Sequence, residues 1–258
     1  MPPPLSMSAS LGLGISKPSA AAVHEVTQQA ALLESGSWWK LDETSGTTAY
    51  DSSAGGNNAA LSTGASFASG GIDGYCVDLD GSDGEITIPA DSINGTPPLT
   101  WSLWHKWDEL ENGRGLLEDT TYRAAPAFTI QFKTGNKIMV AVYYGAGGTH
   151  YNSCHYDVTG NADDEWHHYA FTVVDDGGDS KFEFFMDGTK KDVASNYGGT
   201  VSGDGKGFTV QTSISEDPAI WVGRERSTRM DGQIDDIRFY NIQLSDSEIA
   251  AIAAGDFG

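Results

Sequence analysis

A chain of 258 residues with a 39% hydrophobic fraction carries enough apolar mass for one large core or two small ones. Its formal net charge of −21 comes from 15 Lys and Arg against 36 Asp and Glu, so phosphate backbones and anionic lipid surfaces are repelled, which excludes nucleic acid as a partner. No stretch approaches the ~20 consecutive apolar residues of a membrane span, and no membrane insertion is expected.

Taken from the start of the chain, Leu5, Met7, Ala9, Leu11, Leu13 and Ile15 alternate with Ser6, Ser8, Ser10, Gly12 and Gly14. Strict period two describes a strand with one oily face. Pro18 and the Ala20-Ala21-Ala22 run separate it from the rest of the chain, and Val23, Val26, Ala30 and Leu33 have helical spacing. Residues 1–33 are therefore read as an extended arm and linker. Leu5, Met7, Leu11, Leu13 and Ile15 would pair with an exposed edge of another protein chain or of the body itself. The plainer alternative is a patterned tail. Exchange of arms between copies favours a closed homo-oligomer, with a trimer expected. The chain opens Met-Pro-Pro-Pro and its first lysine, Lys17, comes after the apolar residues, so export by a secretory signal is not expected.

From about residue 34 to 258 the pattern becomes short β segments separated by glycine and aspartate turns, which reads as one all-β domain. Candidate strands are 37–41, 76–79, 85–88, 99–107, 127–133, 137–144, 166–175, 181–186, 219–223 and 232–240. Phe182, Phe184 and Met186 alternate into Asp187-Gly188, a dipeptide that accepts positive φ and so predicts a tight hairpin. Ser245 with Glu248 three residues on predicts a capping box opening a short helix through Ile249 and Ile252. Cys76 and Cys154 form no CxxC and have no zinc pattern; free thiols are expected, with a disulfide left open.

Several of these segments together resemble the laminin-G-like or concanavalin A-like jelly-roll superfamily. They are Trp38-Trp39-Lys40-Leu41-Asp42-Glu43, Asp51-Ser52-Ser53 with Gly55-Gly56-Asn57-Asn58, Val77-Asp78-Leu79-Asp80-Gly81, Leu99-Thr100-Trp101-Ser102-Leu103-Trp104, Glu165-Trp166-His167-His168-Tyr169-Ala170, Phe185-Met186-Asp187-Gly188 and Ile234-Asp235-Asp236-Ile237-Arg238-Phe239-Tyr240-Asn241. The resemblance implies an antiparallel two-sheet β-sandwich, one sheet concave, with rim loops that bind sugars, proteins or calcium in family members. It leaves function open, since lectins, adhesion modules, glycanases and display domains share the fold.

Glycanases of the superfamily set carboxylates alternately on one strand. The nearest candidates are Asp78, Asp80, Asp83 and Glu85, but the family's Glu-x-Asp-x-Glu spacing is absent and Asp80-Gly81-Ser82-Asp83-Gly84 reads as a turn. No enzymatic activity is expected. His167 and His168 are read as structural. A structural calcium ion is the cofactor considered: Asp51 and Asn57 supply hard oxygen ligands, and the resemblance implies an acidic partner at Asp235 or Asp236. The alternative is an Asx-type turn bonding its own backbone. For a glycan, Tyr144, His150 and Tyr151 flank the 145–148 glycine-rich loop, and Tyr122 with Arg123 marks a second rim position; strand alternation buries one of Tyr143 and Tyr144.

The expected function is a non-enzymatic display protein of a virion-type assembly, such as a phage capsid decoration or fibre-like protein, made in the host cytoplasm and anchored by its arm. The alternative is a secreted or cell-surface carbohydrate-binding or adhesion module; a glycan-active enzyme ranks third.

Overall fold

The computed structural model describes residues 36–90, 92, 97–107, 113–120, 127–144, 150–160, 163–210 and 219–255. The expected arm, with Leu5, Met7, Leu11, Leu13 and Ile15, lies outside the described residues, as do Tyr122, Arg123 and the 145–148 loop.

Two large antiparallel sheets face each other. The first runs in the order Thr200–Val201, Gly207–Val210, Asp179–Met186, Trp166–Asp176, Leu99–Lys106, Asp231–Tyr240, Gly74–Asp80 and Ala65–Gly71; Ser37–Trp39 also pairs with Asp231–Tyr240, and Thr189–Lys190 with Asp179–Met186. The second runs Val193–Tyr197, His150–Asp157, Lys137–Tyr144, Ala127–Lys133, Gly115–Asp119, Ile220–Val222, Ile86–Ile88, Ala59–Leu61 and Thr48–Ala49. The expected sandwich is the observed architecture.

Alternation along the strands decides what is inside. In Lys137–Tyr144, Ile138, Val140 and Val142 point into the main core, whereas Met139, Ala141 and Tyr143 form a separate buried cluster on the opposite face. Between the sheets, Trp101 from the first stacks on Phe128 from the second with ring centroids 4.4 Å apart. Tyr169, Phe171 and Phe184 extend this aromatic layer, and burial of each ring contributes ~2–3 kcal/mol.

The predicted hairpin forms with Asp187 at φ 50° and Gly188 at φ 71°, both in the left-handed region that a two-residue turn matched to strand twist requires. Asp187 Oδ1 also accepts from the His168 backbone N–H at 3.0 Å, so one side chain fixes the turn to the neighbouring strand. The predicted capping box is present: the Glu248 N–H donates to Ser245 Oγ and the Ser245 N–H donates to Glu248 Oε2 at 2.7 Å. The helix Asp246–Ala253 then lays Ile249 and Ile252 on the outer face of the first sheet, against Trp38, Ala170, Phe185, Tyr240 and Leu244. Cys76 and Cys154 are buried free thiols on different sheets, and burial pushes each up to about 12. No helix among the described residues is long and apolar enough to cross a membrane.

Candidate binding site

Three strands lie side by side at one edge of the second sheet: Lys137–Tyr144, His150–Asp157 and the edge strand Val193–Tyr197. Their register pairs Tyr143 with Tyr151, Tyr144 with His150, and Ser153 with Tyr197. Tyr197 is thereby the diagonal neighbour of Tyr151, on the same face and within reach of a long ring. A ladder of three tyrosines results. Tyr143 and Tyr151 have centroids 5.6 Å apart at 39°, and Tyr151 and Tyr197 are stacked at 5.1 Å and 26°.

Alternation sends Tyr144, His150 and Asn152 to the other face, where Tyr144 and His150 stack at 5.6 Å and 24°. Asn152 is only 3% exposed, while Tyr151 and Tyr197 are 42% and 62% exposed. Gly198 and Gly199 carry the chain off the edge strand with φ of 61° and 59°. A Cβ on Gly198 would collide with Asn152 Nδ2, and one on Gly199 would lie 2.5 Å from the Thr209 carbonyl oxygen. Bare backbone at these two positions leaves a cavity of about 300 Å³, lined by Tyr144, His150, Tyr151, Asn152, Tyr197, Gly198 and Gly199. Its lining draws Tyr151 and Tyr197 from one face of these strands and Tyr144, His150 and the buried Asn152 amide from the other.

Of the predicted ligand residues, Tyr144, His150 and Tyr151 are brought together, and Tyr143 is the buried member of its pair with Tyr144. Tyr122 lies outside the described residues. Tyr197, Asn152 and the Gly198-Gly199 pair are not among the residues that sequence patterning singles out. The only local signal is an aromatic with two glycines after it, in a segment too polar to read as a strand.

The donors considered for calcium are engaged with backbone. Asp51 Oδ1 accepts from the N–H groups of Trp38 and Ser53 at 3.0 and 2.8 Å, and its Oδ2 accepts from Asn57 N–H at 2.9 Å. The Asn57 carbonyl accepts from the Trp39 indole at 2.8 Å. Asp235 accepts from Ile72 and Asp236 N–H, both at 2.8 Å, and burial pushes its carboxyl up to about 8. With Asp42, Asp73, Asp236, Trp38 and Lys40 it lines a small cleft, where Asp236 is paired with Arg238 at 2.9 Å and accepts from the Trp38 indole at 2.6 Å. Asp51 closes an Asx-type turn onto Ser53 and also holds the Asn57 N–H, and no group of three His, Cys, Asp or Glu among the described residues is arranged to hold a metal ion.

The carboxylates weighed for glycan cleavage have structural partners as well. Asp80 Oδ1 accepts from the N–H groups of Ser82, Asp83 and Gly84 at 2.9–3.1 Å, which holds its pKa below the usual carboxylate range. Glu85 pairs with Arg224 and Arg229 at 2.9 and 3.0 Å, and Asp78 accepts from Gln233. His168 is fully buried against Ser102 at 2.7 Å, and burial pulls it down to about 3. His167 bridges Asp187 and Asp163 at 2.9 and 3.2 Å. Both histidines are engaged by neighbouring side chains within the fold.

Residues 80–250 match the family described as the concanavalin A-like lectin/glucanases superfamily, about two thirds of the chain. The chain belongs to this family. The concanavalin A-like domain is also similar in fold to solved structures at low identity. Domain 4 of an extracellular arabinanase from Geobacillus stearothermophilus, solved with arabinotriose, has a TM-score of 0.59 at 18% identity over 84% of this chain and 97% of that one. The binding domain of botulinum neurotoxin serotype D has a TM-score of 0.59 at 14% identity over 85% of this chain and 51% of that one. The binding domain of botulinum neurotoxin DC, solved in complex with SialylT, has a TM-score of 0.56 at 13% identity over 84% and 52%. The chain spans about half the length of these toxin binding domains. No curated protein matches the chain.

Proposed function

We propose that this concanavalin A-like domain is a non-catalytic carbohydrate-binding module whose sugar site is the tyrosine-lined recess at the edge of the second sheet. The observation that carries the reading is the recess itself: Tyr144, Tyr151 and Tyr197 surround about 300 Å³ with the buried Asn152 amide and His150 alongside. Flat rings stack on the C–H faces of sugars, and an amide and phenol hydroxyls orient the sugar hydroxyls. Two neighbours in fold were solved with sugar ligands, arabinotriose and SialylT, which makes a sugar a natural first ligand to try. The structural engagement of Asp78, Asp80 and Glu85 favours binding over cleavage.

The setting proposed for the module is display on a virion-type assembly, as an oligomer anchored by residues 1–33. Its support is the period-two pattern of Leu5 to Ile15 alone. Binding of the full chain to a glycan array, repeated with Tyr151→Ala and Tyr197→Ala, tests the module. Capture by the parent and a severalfold weaker signal in both variants is expected; no capture by the parent removes the proposal.

A further inference from the structure

Resting on that glycan reading, we infer that the recess selects uncharged sugars and rejects sialylated or uronate-bearing ones. Among the described residues its lining is three tyrosines, one histidine, one asparagine and two glycines, with no Asp, Glu, Lys or Arg.

A sugar carboxylate is ordinarily met by a guanidinium or ammonium through charge-assisted hydrogen bonds. Here many of those cations are engaged away from the recess. Arg224 and Arg229 pair with Glu85, Arg238 with Asp236, Lys181 and Lys190 with Glu183, and Lys206 with Asp192. An anionic sugar entering the recess therefore sheds water without gaining a counter-charge. It must also approach a molecule of net charge −21, whose field repels anions beyond contact distance.

An uncharged sugar meets none of these costs. Its hydroxyls find donors and acceptors on Asn152, His150 and the tyrosine hydroxyls, and its apolar face stacks on the exposed Tyr151 and Tyr197 rings. The volume lies at the lower end of the ~300–1,000 Å³ usual for small-molecule pockets, which suits one or two sugar rings better than a long chain segment.

The test is an array of neutral glycans printed beside their sialylated and uronate-bearing counterparts, such as lactose beside sialyllactose and galactan oligosaccharides beside oligogalacturonate. The full chain is expected to bind neutral members, with signal lower on the order of tenfold on matched acidic ones. Tyr197→Arg removes a stacking ring, so the neutral signal should fall, while the cation it places at a position 62% exposed should raise the ratio of acidic to neutral signal. Stronger binding of acidic members by the parent overturns the selectivity and leaves the glycan reading standing. No binding to any member overturns both. A ratio of acidic to neutral signal unmoved by Tyr197→Arg also contradicts the inference, because charge in the lining would then not be what decides.

Discussion

Tyr151 and Tyr197 stack at 5.1 Å although they belong to different strands and are diagonal rather than direct partners. Ser153, small and only 2% exposed, stands opposite Tyr197 and leaves room for its ring to lean toward Tyr151. The pair is the exposed half of the recess. Replacing either ring by alanine is expected to weaken sugar binding by about 1 kcal/mol, roughly fivefold, while leaving the melting temperature within about a degree or two. Titration calorimetry against the best array ligand, with thermal melts alongside, measures both.

The glycine wall gives a second expectation. Gly199→Ala puts a Cβ at φ 59° and 2.5 Å from the Thr209 carbonyl, with Phe208 beside it, and is expected to cost on the order of 1–3 kcal/mol of stability. Gly198→Ala, at φ 61°, carries similar backbone strain and also drives its Cβ into the Asn152 amide, so sugar binding should fall together with stability. Denaturant unfolding and ligand titration of the two variants measure both effects.

Asp51 is expected to act as a turn acceptor. Three of the roughly four lone-pair sites of its carboxylate are taken by backbone N–H groups, which leaves little for a cation. Asp51→Ala should cost about 2–3 kcal/mol in urea unfolding through loss of charge-assisted bonds. Melting of the parent should be unmoved between excess calcium and chelator; a rise of several degrees in calcium would contradict this.

Stability should fall as pH rises across the neutral range. Burial raises Asp235 to about 8 and Glu118 to about 7. The folded chain therefore keeps protons that the unfolded chain releases above about pH 4, and the native advantage shrinks until those folded values are passed. His105 and His168, both held at about 3 by burial, act at the other end. They are neutral when folded but protonate when unfolded below about pH 6.5, so stability also falls on acidification. Asp235→Asn should move the pH of maximum melting temperature upward; an unshifted profile would argue against a protonated Asp235.

The hairpin at Asp187-Gly188 rests on the terminal helix. A Cβ on Gly188 would lie 2.9 Å from Ala250 Cα at φ 71°, so Gly188→Ala combines backbone strain with a clash. In denaturant unfolding it should cost more than the ~1 kcal/mol expected for Ser245→Ala, which removes only the cap.

The sandwich was legible because its central strands carry strong alternation and its turns carry Asp-Gly and Ser-x-x-Glu chemistry, as at Asp187-Gly188 and Ser245 to Glu248. The site was half legible. Tyr144, His150 and Tyr151 flank one glycine-rich loop and could be grouped by proximity in sequence. Tyr197 could not, because Val193–Tyr197 is an exposed edge strand whose polar residues carry no period-two signal, and only the register with His150–Asp157 brings it alongside. Asn152 was hidden for a related reason, since its strand reads His-Tyr-Asn-Ser-Cys-His-Tyr-Asp, with polar residues on both faces.

The central claim, that the edge recess is the sugar site, is tested most directly by titrating the full chain with its best neutral array ligand, beside the Tyr151→Ala, Tyr197→Ala double variant. Saturable one-to-one binding by the parent is predicted, with a loss of roughly tenfold or more in the folded double variant. Equal affinity in the two proteins would mean that the sugar binds elsewhere and would contradict the claim.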